Sequence, residues 1–215
     1  MASFEISYQR VLGAEGGYQN NPNDSGNYNS AGELIGTNYG ISAPVLEVWL
    51  GRIPSVWDMK LLELWEVKKI YRQRFWDPIR VEQLSAQPLA DLLFDGRVNH
   101  GRTGTKLLQK VLGVPADGVI GPITLNAITA RPPAQLYWQY KDAREQFYRY
   151  LADNRPGQAV FLNGWLNRLN KFQDYVRPSG SSTAGSEGQP LPWGWAVGAG
   201  ILITAATAAA QRRTG

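Results

Sequence analysis

The stretch "FEISYQRVLGAE", residues 4–15, decides the fold class. Its apolar and aromatic positions recur in steps of three and four, which is the spacing of one face of an α-helix. That face comprises Phe4, Tyr8, Val11, Leu12 and Glu15. Two glycines, Gly16 and Gly17, follow and are typical of a helix end. The stretch therefore predicts an amphipathic helix with an acidic residue in its last turn.

The same helical period continues through most of residues 1–177. Further helices are predicted at 55–75, 88–101, 103–113, 121–130, 134–153 and 157–176. The first of these opens with a capping box, Ser55 to Asp58, and contains the apolar residues Leu61, Leu62, Trp65, Tyr71 and Phe75. The last has an apolar stripe of Phe161, Trp165, Leu169, Phe172 and Val176. The sequence predicts an all-α domain with a small irregular, β-like region at residues 18–42.

Composition limits the classes of protein and site. A chain of 215 residues with 43% hydrophobic residues supports one sizeable core, or two small lobes that share one. The net charge of +4 favours acidic polymers, but no basic run with interleaved aromatics indicates nucleic-acid binding. The chain has no Cys and a single histidine, so disulfides and His-rich or Cys-based metal sites are excluded. We expect no cofactor and no metal.

Glu15 has two interpretations. Its predicted place on the apolar face would desolvate it, and the helix end would add the negative pole of the dipole. Both effects disfavour a carboxylate, so we expect a raised pKa, as a general acid that protonates a glycosidic oxygen requires. The alternative is a structural glutamate paired with a nearby arginine.

The loop after Glu15 offers partners for such an acid. Polar residues with interspersed tyrosines, Tyr18, Tyr28 and Tyr39, suit sugar recognition, although an ordinary surface loop has a similar composition. Asp24 and Glu33 are the available second carboxylates. A separation near ~5 Å from the acid predicts a nucleophile and retention, and about 6.5–9.5 Å predicts a base and inversion.

Asp95, Asn99 and His100 close the helix predicted at 88–101. Asp95 is interpreted as a carboxylate paired with an arginine such as Arg97 or Arg74. His100 is either a structural residue or a proton shuttle.

Several segments together carry a resemblance to a known family. "EGGYQNNPNDSG" and "GTNYGIS", with "YRQRFWDPIR", "LLFDGRVNHG", "LLQKVLGVPADGVIGPITLNAI" and "FLNGWLNR", resemble the glycoside hydrolase 108 family of N-acetylmuramidases. The resemblance covers about residues 4–172 and implies a lysozyme-like fold. It implies a catalytic part at 1–86 and a helical peptidoglycan-binding part at 87–177 packed on it.

The resemblance also suggests the site. The Glu of the E-G-G-Y motif is the family's catalytic acid and maps onto Glu15, and Asp24 maps into the same cleft. The residues expected to bind substrate are Tyr18, Thr37, Tyr39, Asn99 and His100. The second catalytic role falls to Asp24 or to the acetamido group of the substrate.

The C-terminal region lies outside this resemblance. Residues 178–192 are predicted as a flexible linker, 193–210 as a transmembrane helix and 211–215 as a basic tail. Trp193 and Trp195 suit an aromatic belt, while Gly194 and Gly198 suit helix–helix contact. A loosely held helix and a buried core helix are the alternatives. The N-terminus lacks the pattern of a signal peptide.

These expectations combine into one functional hypothesis. The chain is expected to be a peptidoglycan hydrolase cutting between N-acetylmuramic acid and N-acetylglucosamine, as a phage or prophage endolysin. The tail would hold it at the inner membrane, in an orientation that the sequence leaves open, and its catalytic domain would act on the periplasmic wall. Alternatives are a lytic transglycosylase and a non-catalytic wall-binding or virion-associated protein. The oligomeric state is left open.

Overall fold

The structure is a computed structural model that describes residues 1–12 and 16–177. Within these residues the fold is almost wholly helical. The α-helices are α1 (Phe4–Leu12), α2 (Ala43–Leu50), α3 (Val56–Lys60), α4 (Leu64–Ile70), α5 (Gln87–His100), α6 (Arg102–Leu112), α7 (Pro122–Thr129), α8 (Pro133–Asn154) and α9 (Leu162–Leu169). A π-helical segment, Tyr71–Trp76, continues α4. Short 3-10 segments lie at Ser25–Asn27, Asp77–Ile79, Val81–Gln83 and Ala159–Phe161.

Helix α5 lies at the centre of the fold and contacts α1, α6 and α8. Its side chains are buried on nearly every side, including Leu92, Phe94 and Val98. Each large apolar side chain buried in this way contributes roughly 1.5–3 kcal/mol. One buried hydrophobic cluster extends from Ala2 to Phe172, so both parts of the chain share a core.

The predicted apolar face of α1 is present. Phe4 and Val11 are buried, and Tyr8 and Leu12 are half-buried against the core. Phe4 packs edge-on against Trp76, with ring centroids 5.6 Å apart. The predicted helix ran to residue 15, but residues 13–15 lie outside the described part.

The helix predicted over residues 55–75 is interrupted. The capping box of Ser55 and Asp58 is confirmed, but α3 ends at Lys60 and α4 begins only at Leu64. A second start forms there because the Glu66 side chain accepts a hydrogen bond from the Glu63 backbone N–H. The interruption rotates the predicted face, and Leu61 and Trp65 are exposed.

The last predicted helix, over 157–176, is also shorter. Helix α9 spans Leu162–Leu169, and the chain after it is irregular. Trp165, Leu169 and Phe172 are buried as predicted, whereas Phe161 and Val176 are exposed. The irregular segment is held to α8, since Lys141 Nζ donates to the Phe172 carbonyl at 2.5 Å.

Helix α2 was not predicted from the sequence. Its signals are Pro44 in the first turn and Gly51 after the last residue, where the backbone is left-handed (φ 67°). The neighbouring β-like region at 18–42 is confirmed in a minimal form. It contains three isolated antiparallel bridges, Gln19 with Thr37, Tyr28 with Leu34 and Asn38 with Ile41.

The expected transmembrane helix requires a correction of the fold class. Across residues 1–12 and 16–177, no helix combines the length and apolar character needed to cross a bilayer. The longest, α8, has 22 residues but includes charged ones such as Lys141 and Arg144. The run at 193–210 on which that prediction rested, its Gly194–Gly198 pair, the linker 178–192 and the tail 211–215 lie outside the described residues. The supported fold class is the all-helical, lysozyme-like one alone.

Candidate active site

Asn27 organises the loop that follows α1. Its fully buried amide donates to the Gln19 side chain at 3.0 Å and to the Asn21 carbonyl at 2.9 Å. Its side-chain oxygen accepts from Gln19 Nε2 at 2.9 Å and from the Thr37 hydroxyl at 2.6 Å. A buried polar side chain of this kind is stable only because every group has a partner.

The structure brings four of the predicted site residues together in this loop. Thr37 pairs with Gln19 through two backbone hydrogen bonds of 2.9 and 2.8 Å, and Tyr18 directly precedes Gln19 in the chain. The Asp24 carbonyl accepts from the Asn27 N–H at 3.0 Å. Tyr39 follows Thr37 by two residues and has a left-handed backbone (φ 49°) that a bulky residue rarely adopts. Such backbone strain persists where surrounding structure enforces it, and it concentrates at functional sites.

Two glycines fix how closely the loop packs. A Cβ on Gly36 would lie 2.6 Å from Cε2 of Tyr18, so only a glycine at this position lets the Tyr18 ring pack against the backbone. A Cβ on Gly40 would lie 2.5 Å from the Tyr71 hydroxyl and 3.9 Å from Cδ2 of Leu12. The loop therefore rests against the last residue of α1 that the structure describes, which directly precedes residues 13–15.

The two candidate second carboxylates differ in their contacts. Asp24 is half-buried, and its Oδ1 accepts from the Gly26 N–H at 2.9 Å. Glu33 is exposed, and its carboxylate accepts from the Asn29 amide at 2.8 Å. Each carboxylate therefore accepts one hydrogen bond, from a backbone N–H in Asp24 and from a side-chain amide in Glu33. No group of three or more potential metal ligands occurs within 1–12 and 16–177.

A buried charge cluster joins the centre of the fold to the end of α1. The Asp95 carboxylate accepts from Arg144 at 2.5 Å and from Arg168 Nε at 2.7 Å. Arg168 also donates to the Val11 carbonyl at 3.3 Å. Asp95 is thus paired with arginine, as interpreted, but its partners come from α8 and α9 rather than being Arg97 or Arg74. This contact links α9 to the turn of α1 that leads into residues 13–15.

The charges in this cluster hold Asp95 ionised. Burial alone would raise its pKa, but the positive charges of Arg168 and Arg144 outweigh burial and lower the pKa to about 2. A carboxylate held ionised in this way does not serve as a proton donor near neutral pH. Its role in the fold is to fix the two arginines.

His100 and Asn99 lie beside this cluster rather than in the loop. The His100 ring is 3% exposed, and its Nε2 lies 3.0 Å from the Tyr148 hydroxyl. Burial and the nearby charge of Arg144 lower its pKa to about 3, so the ring is neutral. The Asn99 amide donates to the Asp95 carbonyl at 2.7 Å. Their substrate contacts stay a prediction, as do those of the loop residues.

The turn "DGVIGP", residues 117–122, is held by the buried side chain of Gln109. Its amide donates to Asp117 Oδ1 at 2.7 Å and to the Val119 carbonyl at 2.9 Å. Its oxygen accepts from the Gly118 N–H at 2.7 Å. The turn is therefore held against α6 by Gln109, and α7 begins directly after it at Pro122.

Sequence reasoning missed Asn27, Arg144 and Arg168. Arg144 had a readable signal, because it interrupts the aromatic face of α8 between Tyr140 and Tyr148, and a charge on a buried face needs a buried partner. Asn27 had no such signal in the sequence, since the loop contains five other asparagines that nothing in the sequence distinguishes from it.

Comparisons with known proteins find two family models and a solved structure that this chain resembles. The model of the family described as Glycosyl hydrolase 108 matches residues 8–101, and that described as Predicted Peptidoglycan domain matches 103–170. A solved structure titled "Structure of Brucella abortus SagA" is similar, with a TM-score of 0.69 and 30% sequence identity. The match covers 79% of this chain and 90% of that one. This chain belongs to the glycosyl hydrolase 108 family. No curated protein matches it.

Membership of the glycosyl hydrolase 108 family confirms the resemblance seen in the sequence. The chain is a glycoside hydrolase of the muramidase type, and its second family match gives it a peptidoglycan domain. It is therefore a peptidoglycan hydrolase. The two matches divide at residues 101–103, after α5, whereas the sequence suggested a division at 86–87, which stays a prediction.

Proposed function

We propose that this chain is an N-acetylmuramidase that hydrolyses the bond between N-acetylmuramic acid and N-acetylglucosamine, with Glu15 as the general acid. Glu15 stands in the E-G-G-Y motif and within the residues that the family model matches. A general acid positioned at the glycosidic oxygen accelerates cleavage by about 10²–10⁴-fold.

The observation that carries this proposal is the fixed position of the chain on either side of residues 13–15. Before them, Leu12 lies close to Gly40, and Val11 accepts a hydrogen bond from Arg168. After them, Gln19 pairs with Thr37 through the backbone. Catalytic groups need such support, because small displacements from a productive geometry cost large factors in rate.

The second catalytic group in this proposal is Asp24. Its carboxylate accepts only a backbone hydrogen bond among the described residues, whereas that of Glu33 is bonded to Asn29. The acetamido group of the substrate is the alternative participant. An Asp24→Asn variant separates them, because it abolishes hydrolysis only where Asp24 takes part in the reaction.

The biological setting that we propose is host lysis by a phage or prophage endolysin, acting on the periplasmic wall. The union of a glycosidase part and a peptidoglycan domain in one chain supports action on the wall, which such lysis requires. Export of the chain into the periplasm of a Gram-negative host is expected to lyse the cells. Survival of such cells, with active protein in the periplasm, contradicts this setting.

Mass analysis of digested sacculi tests the chemistry. Hydrolysis leaves a reducing muramic end, whereas a lytic transglycosylase leaves a 1,6-anhydro end. We expect reducing muramic ends only. Anhydro ends contradict hydrolysis, and binding to sacculi without fragments contradicts catalysis.

A further inference from the structure

Trp57, Lys60 and Tyr18 form one aromatic–lysine surface at the edge of the loop. The Lys60 ammonium lies 5.0 Å from the centroid of the Tyr18 ring and 5.5 Å from that of the Trp57 ring. We propose that this surface binds the glycan strand of peptidoglycan. The Trp57 ring stacks on a sugar, and Lys60 pairs with a carboxylate of the wall polymer. This inference takes its substrate class from the proposed function.

Trp57 has the exposure of a binding residue. Its side chain is 65% exposed, although indole is the largest apolar side chain and normally buries most of its area. A sugar ring offers a face of C–H groups, and an exposed aromatic ring is the side chain that packs flat against such a face. The ring is therefore free to meet a ligand, and Lys60 and Tyr18 beside it supply the charge and the second ring of the surface.

The surface stands on a rigid base. The capping box of Ser55 and Asp58 begins α3, and Arg52 holds the same carboxylate with hydrogen bonds of 2.6 and 3.0 Å. Met59, fully buried, anchors the helix from below, and its carbonyl accepts from the Asn38 amide at 2.9 Å. Little conformational entropy is then lost when a ligand binds, because the short helix is already fixed.

Tyr18 connects this surface to the proposed catalytic loop. Its ring packs against Gly36, where a Cβ would be 2.6 Å away, and it lies three positions after Glu15 in the chain. Lys60 thus bridges a predicted substrate residue and a ring on α3. The glycan strand is a long polymer, so contacts are expected to continue along it away from the cleaved bond.

The charge of Lys60 points to an acidic ligand. Within residues 1–12 and 16–177, Lys60 has no carboxylate partner, whereas Lys68 pairs with Glu5 at 2.5 Å and Arg72 with Asp77 at 2.7 Å. Peptidoglycan supplies carboxylates in its stem peptides, and in the lactyl group of muramic acid wherever no stem peptide is attached. The Lys60 ammonium lies close to both rings and Lys60 is exposed, so a carboxylate of the polymer can reach it.

Trp65 provides a matched control. It is 59% exposed, close to the value for Trp57, but its Nε1 donates to Glu63 at 2.7 Å. It lines a separate open pocket of about 500 Å³ with Lys68 and Arg72, whose charges are already paired. Its replacement removes the same side chain from a comparable surface without touching the aromatic–lysine surface.

Binding of the 215-residue chain to purified sacculi, in a Glu15→Gln background, tests the proposal. Trp57→Ala is expected to weaken binding about tenfold, the loss of one stacked contact, and Trp65→Ala less than about twofold. Equal binding by the two variants, or no binding by the parent, overturns the proposal. Thermal unfolding checks that each variant is folded. We expect both to fold, because both tryptophan side chains are exposed.

A second comparison isolates the carboxylate contact. Lys60→Gln removes the positive charge and is expected to weaken binding to sacculi about fivefold. Lys60→Arg keeps the charge and is expected to retain binding. Neither is expected to change binding to chito-oligosaccharides, which lack carboxylates, whereas Trp57→Ala weakens both ligands. An equal loss for both ligands in Lys60→Gln overturns the pairing. Lysis by Glu15→Gln would refute the proposed acid, while the Trp57 and Trp65 variants, compared without that substitution, would still test this surface.

Discussion

His100 is the one histidine of the chain, and it is held neutral in the folded state. Its ring packs edge-on against Phe147, with centroids 5.4 Å apart, and its Nε2 bonds to Tyr148. Charging the ring would add a positive charge beside the buried guanidinium of Arg144. The site therefore favours the neutral imidazole strongly.

This neutral histidine predicts a pH dependence of stability. Its folded-state pKa of about 3 lies below the ordinary 6.5, so between these values only the unfolded chain is protonated. The free energy of unfolding should fall by roughly 1 kcal/mol for each pH unit below about 6.5. His100→Phe should lack this slope between about pH 6.5 and 4.5, as urea unfolding can measure. Parallel profiles for the two proteins would contradict the assignment.

Asn27 and Tyr18 illustrate what the sequence could predict of the site. The sequence marked residues 18–42 as a polar, tyrosine-containing loop after an acidic helix end, and four of the predicted residues do share that loop. It did not reveal that Asn27, rather than Asn29 or Asn38, which are also buried, bonds to Thr37, because that contact depends on how the loop folds. Nor did it reveal the aromatic–lysine surface, which joins residues about forty positions apart.

Among the helices, prediction succeeded where local signals and packing agree. Helix α5 begins at Gln87 beside Pro88 and ends before Gly101, close to the predicted 88–101. The prediction of 55–75 as one helix was wrong because it rested on the spacing of apolar residues. That spacing does not reveal that a second helix starts after Glu63. The end of α9 is set by tertiary bonds, since Asp174 pairs with Arg10 and accepts from Tyr137.

The loop at 18–42 gives a test of close packing. Gly36→Ala and Gly32→Ala both impose a left-handed backbone on alanine, with φ of 84° and 79°. Only Gly36 adds a collision, with the Gln19 carbonyl at 2.5 Å and the Tyr18 ring, while nothing lies within 4 Å of Gly32. Gly32→Ala should cost about 1 kcal/mol and Gly36→Ala about 2 kcal/mol more.

Urea unfolding measures both costs, and turbidity loss of sacculi reports activity. Gly36→Ala should also lower activity, because it displaces Tyr18, while Gly32→Ala should keep it. Equal stability and activity of the two variants would contradict the packing described for the loop.

The two family matches describe one folding unit rather than two independent domains. Helix α5 belongs to the first match, but it packs against α6 and α8 of the second. Asp95 on α5 finds both arginine partners there, and isolating a buried charge from its partners costs about 3–5 kcal/mol.

Truncation tests this unity. Residues 1–101 alone should show no cooperative urea transition, because α5 loses its packing and Asp95 its partners. Residues 1–177 should unfold cooperatively, as circular dichroism would record. A cooperative transition with native helicity in residues 1–101 would contradict the single core.

The central claim is that Glu15 is the catalytic acid of a peptidoglycan hydrolase. Glu5 in α1 is a matched control, because it is an exposed glutamate whose ion pair with Lys68 contributes little to stability. The measurement is turbidity loss of purified Gram-negative sacculi with wild type, Glu15→Gln and Glu5→Gln. We predict lysis by wild type and Glu5→Gln, and a loss of about 100-fold or more in Glu15→Gln. Lysis retained by Glu15→Gln would contradict the claim and make Glu15 a structural residue.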